Sequence, residues 1–152
     1  MRVWRVCRRP HGTFDGEGAR LAGGRWNHRG VAMIYTSGTL SLAALEYFVH
    51  LDPGEAPADL TGIPADIPDT VSRHEIRIEG LPENWRSHPA PGRLAELGSE
   101  WVRSGRTAVL VVPSAVVPRE PNYLLSPTHR DFRRIRVGTP EPFGFDPRMW
   151  KR

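Results

Sequence analysis

With 152 residues, 39% of them apolar and 25% charged, the chain fits one globular domain with a sizeable core and excludes wholesale disorder. It has no run of about 18 apolar residues, no secretory leader pattern and a single cysteine, so we expect a cytoplasmic protein without a membrane span or disulfide. The net charge of +4 comes from scattered arginines without a clustered stripe, so direct binding to nucleic acid is not expected.

The first third of the chain begins with two strand-like segments separated by a loop. Residues 3–7 are predicted to form a short strand. Residues 8–24 are rich in glycine and polar side chains and predict a long loop, a length that is more often functional than idle. The continuous apolar run over 31–36 is typical of a buried strand.

One helix is predicted to follow directly. Ser37 or Thr39 can cap a helix over residues 40–51, and Asp52-Pro53-Gly54 then ends it. Apolar side chains recur on all sides of this segment, so we expect the helix to be buried nearly all round.

The middle of the chain predicts an excursion, a strand and a second helix. Residues 57–69 hold several prolines and small side chains, and we interpret them as a surface excursion from the domain. Residues 72–78 alternate and predict a strand. Residues 91–105 predict a helix, with an apolar stripe formed by Leu94, Leu97 and Trp101.

The last third predicts two further strands and an irregular end. Residues 107–112 are dense in β-branched side chains, and Pro113 ends the ladder. Residues 133–137 alternate again, and the proline-rich tail over 139–152 is expected to be irregular. Because strands and helices intermix without a βαβ rhythm, we predict a single α+β domain over residues 1–152.

Two charged residues stand out as candidates for chemistry. Glu46 lies inside the predicted apolar helix, where a carboxylate loses hydration unless a cation or hydrogen-bond donors compensate. Either a structural ion pair or a functional site would account for it. Arg25 follows Gly23-Gly24, which lets the backbone bend towards a ligand, and its guanidinium matches two phosphate oxygens. The alternative is a surface turn with a solvated arginine.

Other candidates are polar groups at the ends of strands. Tyr35 ends an apolar strand, where its ring serves either the core or a ligand. Ser114 follows a strand through Pro113 and is either a site hydroxyl or a turn cap. A second polar cluster over residues 122–129 also fits a tight turn. The six histidines show no metal-ligand spacing, so no metal site is predicted.

Several short motifs follow one another across most of the chain: Phe14-Asp15-Gly16, Gly18-Ala19-Arg20, Gly23-Gly24-Arg25-Trp26-Asn27, Tyr35-Thr36-Ser37, Ala43-Ala44-Leu45-Glu46, Val112-Pro113-Ser114 and Asn122-Tyr123-Leu124-Leu125-Ser126-Pro127-Thr128-His129. Together they resemble the RES-domain family of bacterial toxins, named for an arginine, a glutamate and a serine. Ser126 stands where asparagine is expected in the family's turn, and residues 57–69 match no part of the pattern.

The resemblance implies a fold similar to that of ADP-ribosyltransferases and an activity that destroys NAD. Family members are described as NAD hydrolases, as phosphorylases that use inorganic phosphate, or as transferases of ADP-ribose to a protein. NAD is then a substrate, phosphate is a possible co-substrate, and no cofactor is implied. Carried over position by position, the candidate catalytic residues are Arg25, Tyr35, Glu46 and Ser114, and the candidate binding residues are Gly24, Arg25, Trp26, Asn27, Tyr35 and Ser126.

The residue types agree with that chemistry. Breaking the nicotinamide–ribose bond builds positive charge on the ribose, and a nearby carboxylate such as Glu46 stabilises it. Arg25 would hold the diphosphate and Tyr35 would orient the nicotinamide ring. Ser114 would donate to the ribose or the nicotinamide amide, although Ser126 competes for the role of the functional serine.

Three functions stay open as alternatives. NAD hydrolysis or phosphorolysis comes first, and ADP-ribosyl transfer to a specific protein uses the same residues. The basic composition leaves a nucleic-acid-binding or RNA-cleaving toxin as a third. The resemblance also implies an Xre-type antitoxin with a DNA-binding domain as partner, and it allows for a homodimer.

Overall fold

The computed structural model describes residues 1–52 and 54–150, and within them eight strands form one sheet accompanied by three α-helices. The strands are Arg2–Arg8 (β1), Ile34–Ser37 (β2), Leu60–Asp66 (β3), Arg73–Glu75 (β4), Val109–Pro113 (β5), Pro121–Leu125 (β6), Arg136–Val137 (β7) and Glu141–Pro142 (β8). The helices are Glu17–Ala22 (α1), Leu40–Phe48 (α2) and Gly92–Ser104 (α3). This architecture confirms the predicted single α+β domain. No helix in the described segments is long and apolar enough to cross a membrane.

The order of the strands places β1, β2 and β6 at the centre of the sheet. The order is β4-β5-β6-β2-β1-β3-β7, with β8 beside β3, and all pairs are antiparallel except β4 with β5. Trp4 pairs with Ser37, and Ser37 pairs with Asn122. Residues from three distant parts of the sequence therefore lie in one row across the sheet.

Two hydrophobic cores lie on opposite faces of the sheet because successive side chains of a strand point in opposite directions. On β5, Val109 joins one core and Leu110 the other, and on β6 Leu125 and Leu124 divide in the same way. The first core also contains Val3, Ile34, Ala65, Ile67, Val71, Ala108 and Ile135. The second core, against which α3 packs, also contains Trp26, Met33, Trp85, Leu94, Trp101 and Val112.

The two longer helices were predicted at the right places, but α2 is less buried than expected. The α3 helix ends at Gly105, which adopts the left-handed conformation that a helix C-terminus favours. The cap of α2 is Thr39, whose hydroxyl accepts from the amide of Leu42 at 3.0 Å, whereas Ser37 belongs to β2. Leu45 and Val49 are exposed, so the prediction of a helix buried nearly all round was wrong. The expected stop at Pro53 lies outside the described residues.

The β3 strand corrects the prediction that residues 57–69 form a surface excursion. Leu60–Asp66 pairs along its whole length with β1, and all its residues but the last are buried. Pro64 is tolerated in this strand because it falls between the residues that pair with β7 and those that pair with β8. Its carbonyl accepts a hydrogen bond from the amide of Gly138. The small residues of this strand gave no apolar pattern, although pairing buries them.

Other segments differ from the prediction mainly in length. The loop predicted over 8–24 contains α1, and the strand predicted over 31–36 begins only at Ile34. The polar segment around Asn122 forms β6 in the middle of the sheet rather than a tight turn. The strands predicted over 72–78 and 133–137 shrink to β4 and β7, which hold three and two residues.

The C-terminal segment is more ordered than the predicted irregular tail over 139–152. Its strand β8 pairs with β3, and Phe145 and Trp150 pack against Phe48 on α2, with ring centroids 5.3 and 4.9 Å away. The tail therefore lies against the helix that carries Glu46. Residues 151 and 152 lie outside the described residues.

Candidate active site

A cleft of about 210 Å³ opens between α2 and the centre of the sheet. Its walls come from β1, β2, α2, the turn after α2, and β6, so it lies where the three central strands meet the helix. Tyr35 and Ser37 are two residues apart on β2 and therefore share one face of the sheet. The lining residues are Trp4, Arg5, Val6, Tyr35, Thr36, Ser37, Ala43, Glu46, Tyr47, His50 and Asn122.

Glu46 is held in this cleft by two hydrogen bonds to the same carboxylate oxygen. The hydroxyl of Ser114 donates to Oε1 at 2.7 Å, and the side-chain amide of Asn122 donates to Oε1 at 2.6 Å. Glu46 is half-buried, so hydrogen bonds to its charged group gain strength from the reduced exposure. Within the described residues no protein donor contacts Oε2, which leaves that oxygen available to a ligand.

The hydroxyl of Ser114 is fully committed to the protein. Its oxygen accepts from the amides of Val116 and Val117 at 3.1 and 2.9 Å, and its single proton goes to Glu46. Ser114 is also completely buried. The sequence prediction placed this hydroxyl on the ribose or the nicotinamide, but the structure directs it to the carboxylate instead.

Tyr35 lines the cleft, and its hydroxyl is hydrogen-bonded to the loop over residues 23–27. The hydroxyl donates to Oδ1 of Asn27 at 2.7 Å and accepts from the amide of Trp26 at 3.0 Å. Burial raises the pKa of Tyr35 well above its usual value, and the hydrogen bond from Trp26 offsets only part of that effect. The ring is thus fixed in place as a neutral aromatic surface.

The loop over residues 23–27 acts as a clamp for Tyr35, which differs from the predicted grip on a ligand. The side-chain nitrogen of Asn27 donates to the carbonyls of Ala19, His28 and Val31, and Asn27 is 1% exposed. A side chain at Gly24 would meet the hydroxyl of Tyr35. Gly24 and Asn27 therefore shape this loop, and their predicted direct contact with a ligand stays a prediction.

Trp26 is likewise engaged by the protein. Its side chain is 3% exposed and packs in the second core beside Trp85 and Trp101. Gly98 on α3 allows this packing, because a Cβ there would lie 1.9 Å from the backbone oxygen of Trp26. The loop is therefore seated on α3 by a close approach that only glycine permits.

Arg25 lies near Glu46 but does not line the cleft. Its guanidinium donates to the carbonyl of Trp85 at 2.7 Å and to that of Ser87 at 3.3 Å. Partial burial lowers the pKa of Arg25, and the negative charge of Glu46 acts in the opposite direction. The structure thus brings Arg25, Tyr35 and Glu46 into one neighbourhood, with the guanidinium bound largely to backbone carbonyls.

Ser126 lies outside this neighbourhood. It is 2% exposed, its hydroxyl shares a hydrogen bond with that of Thr128 at 3.2 Å, and it is absent from the lining of the cleft. Ser126 comes directly after β6 and follows Asn122 by four residues, which span about 13 Å in a strand. The structure gives Ser126 a local role in the turn and leaves Ser114 as the serine that contacts Glu46.

Several polar residues of the cleft were not predicted as site residues. Asn122 and Ser37 contact the site through strand pairing, which no local pattern reveals. Arg5 lines the cleft, and its guanidinium is held by the carbonyl of Thr13 at 2.8 Å. His50 follows Glu46 by four residues and could have been found from helical spacing alone. No cluster of three or more potential metal ligands occurs in the described segments.

Comparisons with known proteins agree on the family. Residues 2–146 match the family model for the RES domain. The chain is 40% identical over 138 residues to the "Prs ADP-ribosylating toxin" of Sphingobium sp. (strain YBL2), covering 90% of this chain and 86% of that protein. It is 38% identical over 152 residues to "Toxin Res" of Yersinia enterocolitica serotype O:8 / biotype 1B, covering 98% and 99%.

A solved structure shows the same fold. The chain superposes with a TM-score of 0.73 on a chain of the M. tuberculosis MbcT–MbcA toxin–antitoxin complex, covering 93% of this chain and 83% of that one at 13% identity. The predicted fold class is thereby confirmed, and the curated relatives support a toxin function. With the family model matching nearly its whole length, this chain belongs to the RES-domain family.

Proposed function

We propose that this chain is the toxin of a toxin–antitoxin pair and that it cleaves the nicotinamide–ribose bond of NAD. One observation carries the proposal: the carboxylate of Glu46 is fixed through Oε1 in a cleft that is also lined by the ring of Tyr35 and by the cation Arg5. A fixed anion, an aromatic surface and a cation are the groups that a positively charged nicotinamide riboside with a diphosphate requires.

The chemistry needs a preorganised negative charge more than it needs an acid. Nicotinamide leaves as a neutral ring, while the ribose becomes an oxocarbenium ion. Oε2 of Glu46 is available to face that developing charge, because both protein donors use Oε1. The ring of Tyr35 offers a surface for the nicotinamide. Arg5, with Arg25 nearby, supplies positive charge for the diphosphate.

The size of the cleft indicates which part of the substrate it holds. At about 210 Å³ it is smaller than the roughly 300–1,000 Å³ of typical small-molecule sites, so it accommodates only part of a dinucleotide. The nicotinamide riboside end belongs next to Glu46. The adenosine end then extends across the surface, which leaves room for an acceptor to approach the ribose.

Water, phosphate and a protein side chain are the possible acceptors of ADP-ribose. Hydrolysis or phosphorolysis is the first candidate. Transfer to a protein is favoured by one observation, the name "Prs ADP-ribosylating toxin" of a relative that is 40% identical. Both reactions begin with the same bond cleavage at Glu46, so the choice of acceptor is a separate question from the cleavage itself.

The test follows nicotinamide release from NAD by purified protein, with and without inorganic phosphate. We expect release by the wild type and a fall of roughly 10²-fold or more for Glu46→Gln, as for loss of a key electrostatic group. Glu100→Gln is the matched control, because this carboxylate lies on α3 with its side chain 62% exposed. Absence of release by the folded wild type would refute the proposal.

Acceptor choice is tested with NAD labelled in its adenylate phosphate. Labelled protein in a cell extract identifies transfer, whereas free ADP-ribose or ADP-ribose phosphate identifies hydrolysis or phosphorolysis. The antitoxin is tested in the same assay. The fold match to a toxin–antitoxin complex supports such a partner, and we further propose an Xre-type protein that blocks nicotinamide release when it is added. A homodimer remains part of this proposal and is tested by the mass of the purified protein in solution.

A further inference from the structure

Asn122 connects Glu46 to a residue that the carboxylate does not contact. Its side-chain nitrogen donates to Glu46 Oε1 at 2.6 Å, and its side-chain oxygen accepts from the hydroxyl of Ser37 at 2.7 Å. Ser37 and Asn122 are directly paired on β2 and β6, and Ser37 is 3% exposed. The three side chains therefore form a chain of hydrogen bonds that begins in the sheet and ends at the carboxylate.

The direction of this chain is set by chemistry. A carboxylate only accepts, so Asn122 must turn its NH₂ group towards Glu46 and its carbonyl towards Ser37. The hydroxyl of Ser37 is the donor that satisfies this carbonyl. Without this hydroxyl, the side-chain carbonyl of the half-buried Asn122 would lose its protein donor, and the amide would be free to rotate away from this orientation. Ser37 is thus connected to the carboxylate through Asn122.

Asn122 and Ser114 divide the task of holding Glu46. They approach Oε1 from two different strand ends, which fixes the rotation of the carboxylate and directs Oε2 away from both donors. We propose that Asn122 is a positioning residue for Glu46, and that Ser37 sets the orientation of its amide. The inference rests on the proposed NAD cleavage, since it gives Glu46 its role there.

Double variants separate positioning from other effects of Asn122. Leucine at this position matches the shape of asparagine without any hydrogen-bonding group. We expect Asn122→Leu to lower kcat for nicotinamide release at least about tenfold and to change KM less than about threefold. In the Glu46→Gln background it should change the residual rate less than about twofold, because the group that it positions is already absent. An equal fold-loss in both backgrounds would overturn the inference.

Two further variants guard against a purely structural effect. Thr107→Val removes a hydroxyl that accepts from the Trp101 indole at 2.8 Å, far along the chain from Glu46. It should lower Tm and leave kcat and KM unchanged. Ser37→Ala is the alternative variant if Asn122→Leu does not fold, because it retains the side chain of Asn122. We expect it to lower kcat about threefold to tenfold, with no further loss in the Glu46→Gln background.

A measurement without NAD tests the hydrogen-bond chain itself. The side-chain NH₂ of Asn122, assigned in ¹⁵N–¹H spectra by its loss in Asn122→Leu, should show one proton shifted downfield and protected from exchange. Ser37→Ala and Glu46→Gln should each move this signal. A signal that neither variant moves would overturn the inference. Absence of nicotinamide release by the wild type would instead refute the proposed function. The spectroscopic test of the hydrogen-bond chain would still apply, because it does not depend on activity.

Discussion

The clamp around Tyr35 makes a sharp prediction at Gly24. A Cβ at this position would lie 2.7 Å from the hydroxyl oxygen of Tyr35 and 3.0 Å from Oδ1 of Asn27. In Gly24→Ala the hydroxyl must move, which breaks its hydrogen bonds to Asn27 and to the amide of Trp26, at 2.7 and 3.0 Å. The ring of Tyr35 then shifts within the cleft, so both stability and nicotinamide release should fall.

The magnitude follows from these contacts. Two hydrogen bonds contribute about 1 kcal/mol each, and overpacking adds about 1–3 kcal/mol. Gly24 is exposed, so the loop can relax outwards and we expect a total near the lower end, about 3 kcal/mol. For a chain of this length that loss corresponds to a fall in Tm of about 6–12 °C.

Calorimetry of a double-mutant cycle checks the reasoning. In Tyr35→Phe the closest atom is gone, so Gly24→Ala should cost clearly less in that background. Gly18→Ala is the matched control, because no atom lies within 4 Å of its added Cβ and the residue lies inside α1. It should leave stability unchanged or raise it by about 0.5–1 kcal/mol. An unchanged Tm for Gly24→Ala, or an equal loss in both backgrounds, would refute the clamp.

Three further predictions concern the supports of the cleft. Gly98→Ala places a Cβ 1.9 Å from the backbone oxygen of Trp26. Because a backbone atom cannot rotate aside as a side chain does, we expect Tm to fall by more than about 10 °C. A Tm within about 3 °C of the wild type would contradict the packing of the loop on α3. Burial raises the pKa of Tyr35, so the folded state keeps its proton longer than the unfolded state, and stability should decline above about pH 10 by up to about 1.4 kcal/mol per pH unit. Tyr35→Phe should flatten this alkaline decline in a Tm series, and an identical decline would assign it to other groups. Phe145→Ala removes a ring 5.3 Å from that of Phe48 on α2, and we expect a loss of about 1–3 kcal/mol in urea unfolding together with slower nicotinamide release. Unchanged values of both would show that the tail does not support this helix.

Part of the candidate site was accessible from the sequence. The ordered motifs singled out Tyr35, Glu46 and Ser114, and the structure brings these three residues together. Their catalytic roles stay predictions. The motif around Arg25 was also recognised, but its contribution was interpreted as direct binding, whereas the guanidinium contacts backbone carbonyls. A motif indicates that residues matter and does not state which atoms they contact.

What the sequence determined by itself is local. The strand near the N-terminus and the helix α3 were predicted because their apolar spacing repeats within a few residues, which is enough to fix the type of element. The resemblance of the ordered motifs supplied the family.

Only the tertiary structure decided the rest. The strands β3 and β6 mix apolar residues with small and polar ones, and their partners lie up to 87 positions away, as in the hydrogen bond from the hydroxyl of Thr36 to the carbonyl of Tyr123. The hydrogen bonds on Glu46 join positions 68 and 76 residues apart. Whether a paired strand is buried depends on its place in the sheet, since β3 is buried whereas β4, β7 and β8 are paired and exposed. A carboxylate is likewise oriented by whichever donors the sheet brings beside it, so neither outcome is encoded in local spacing.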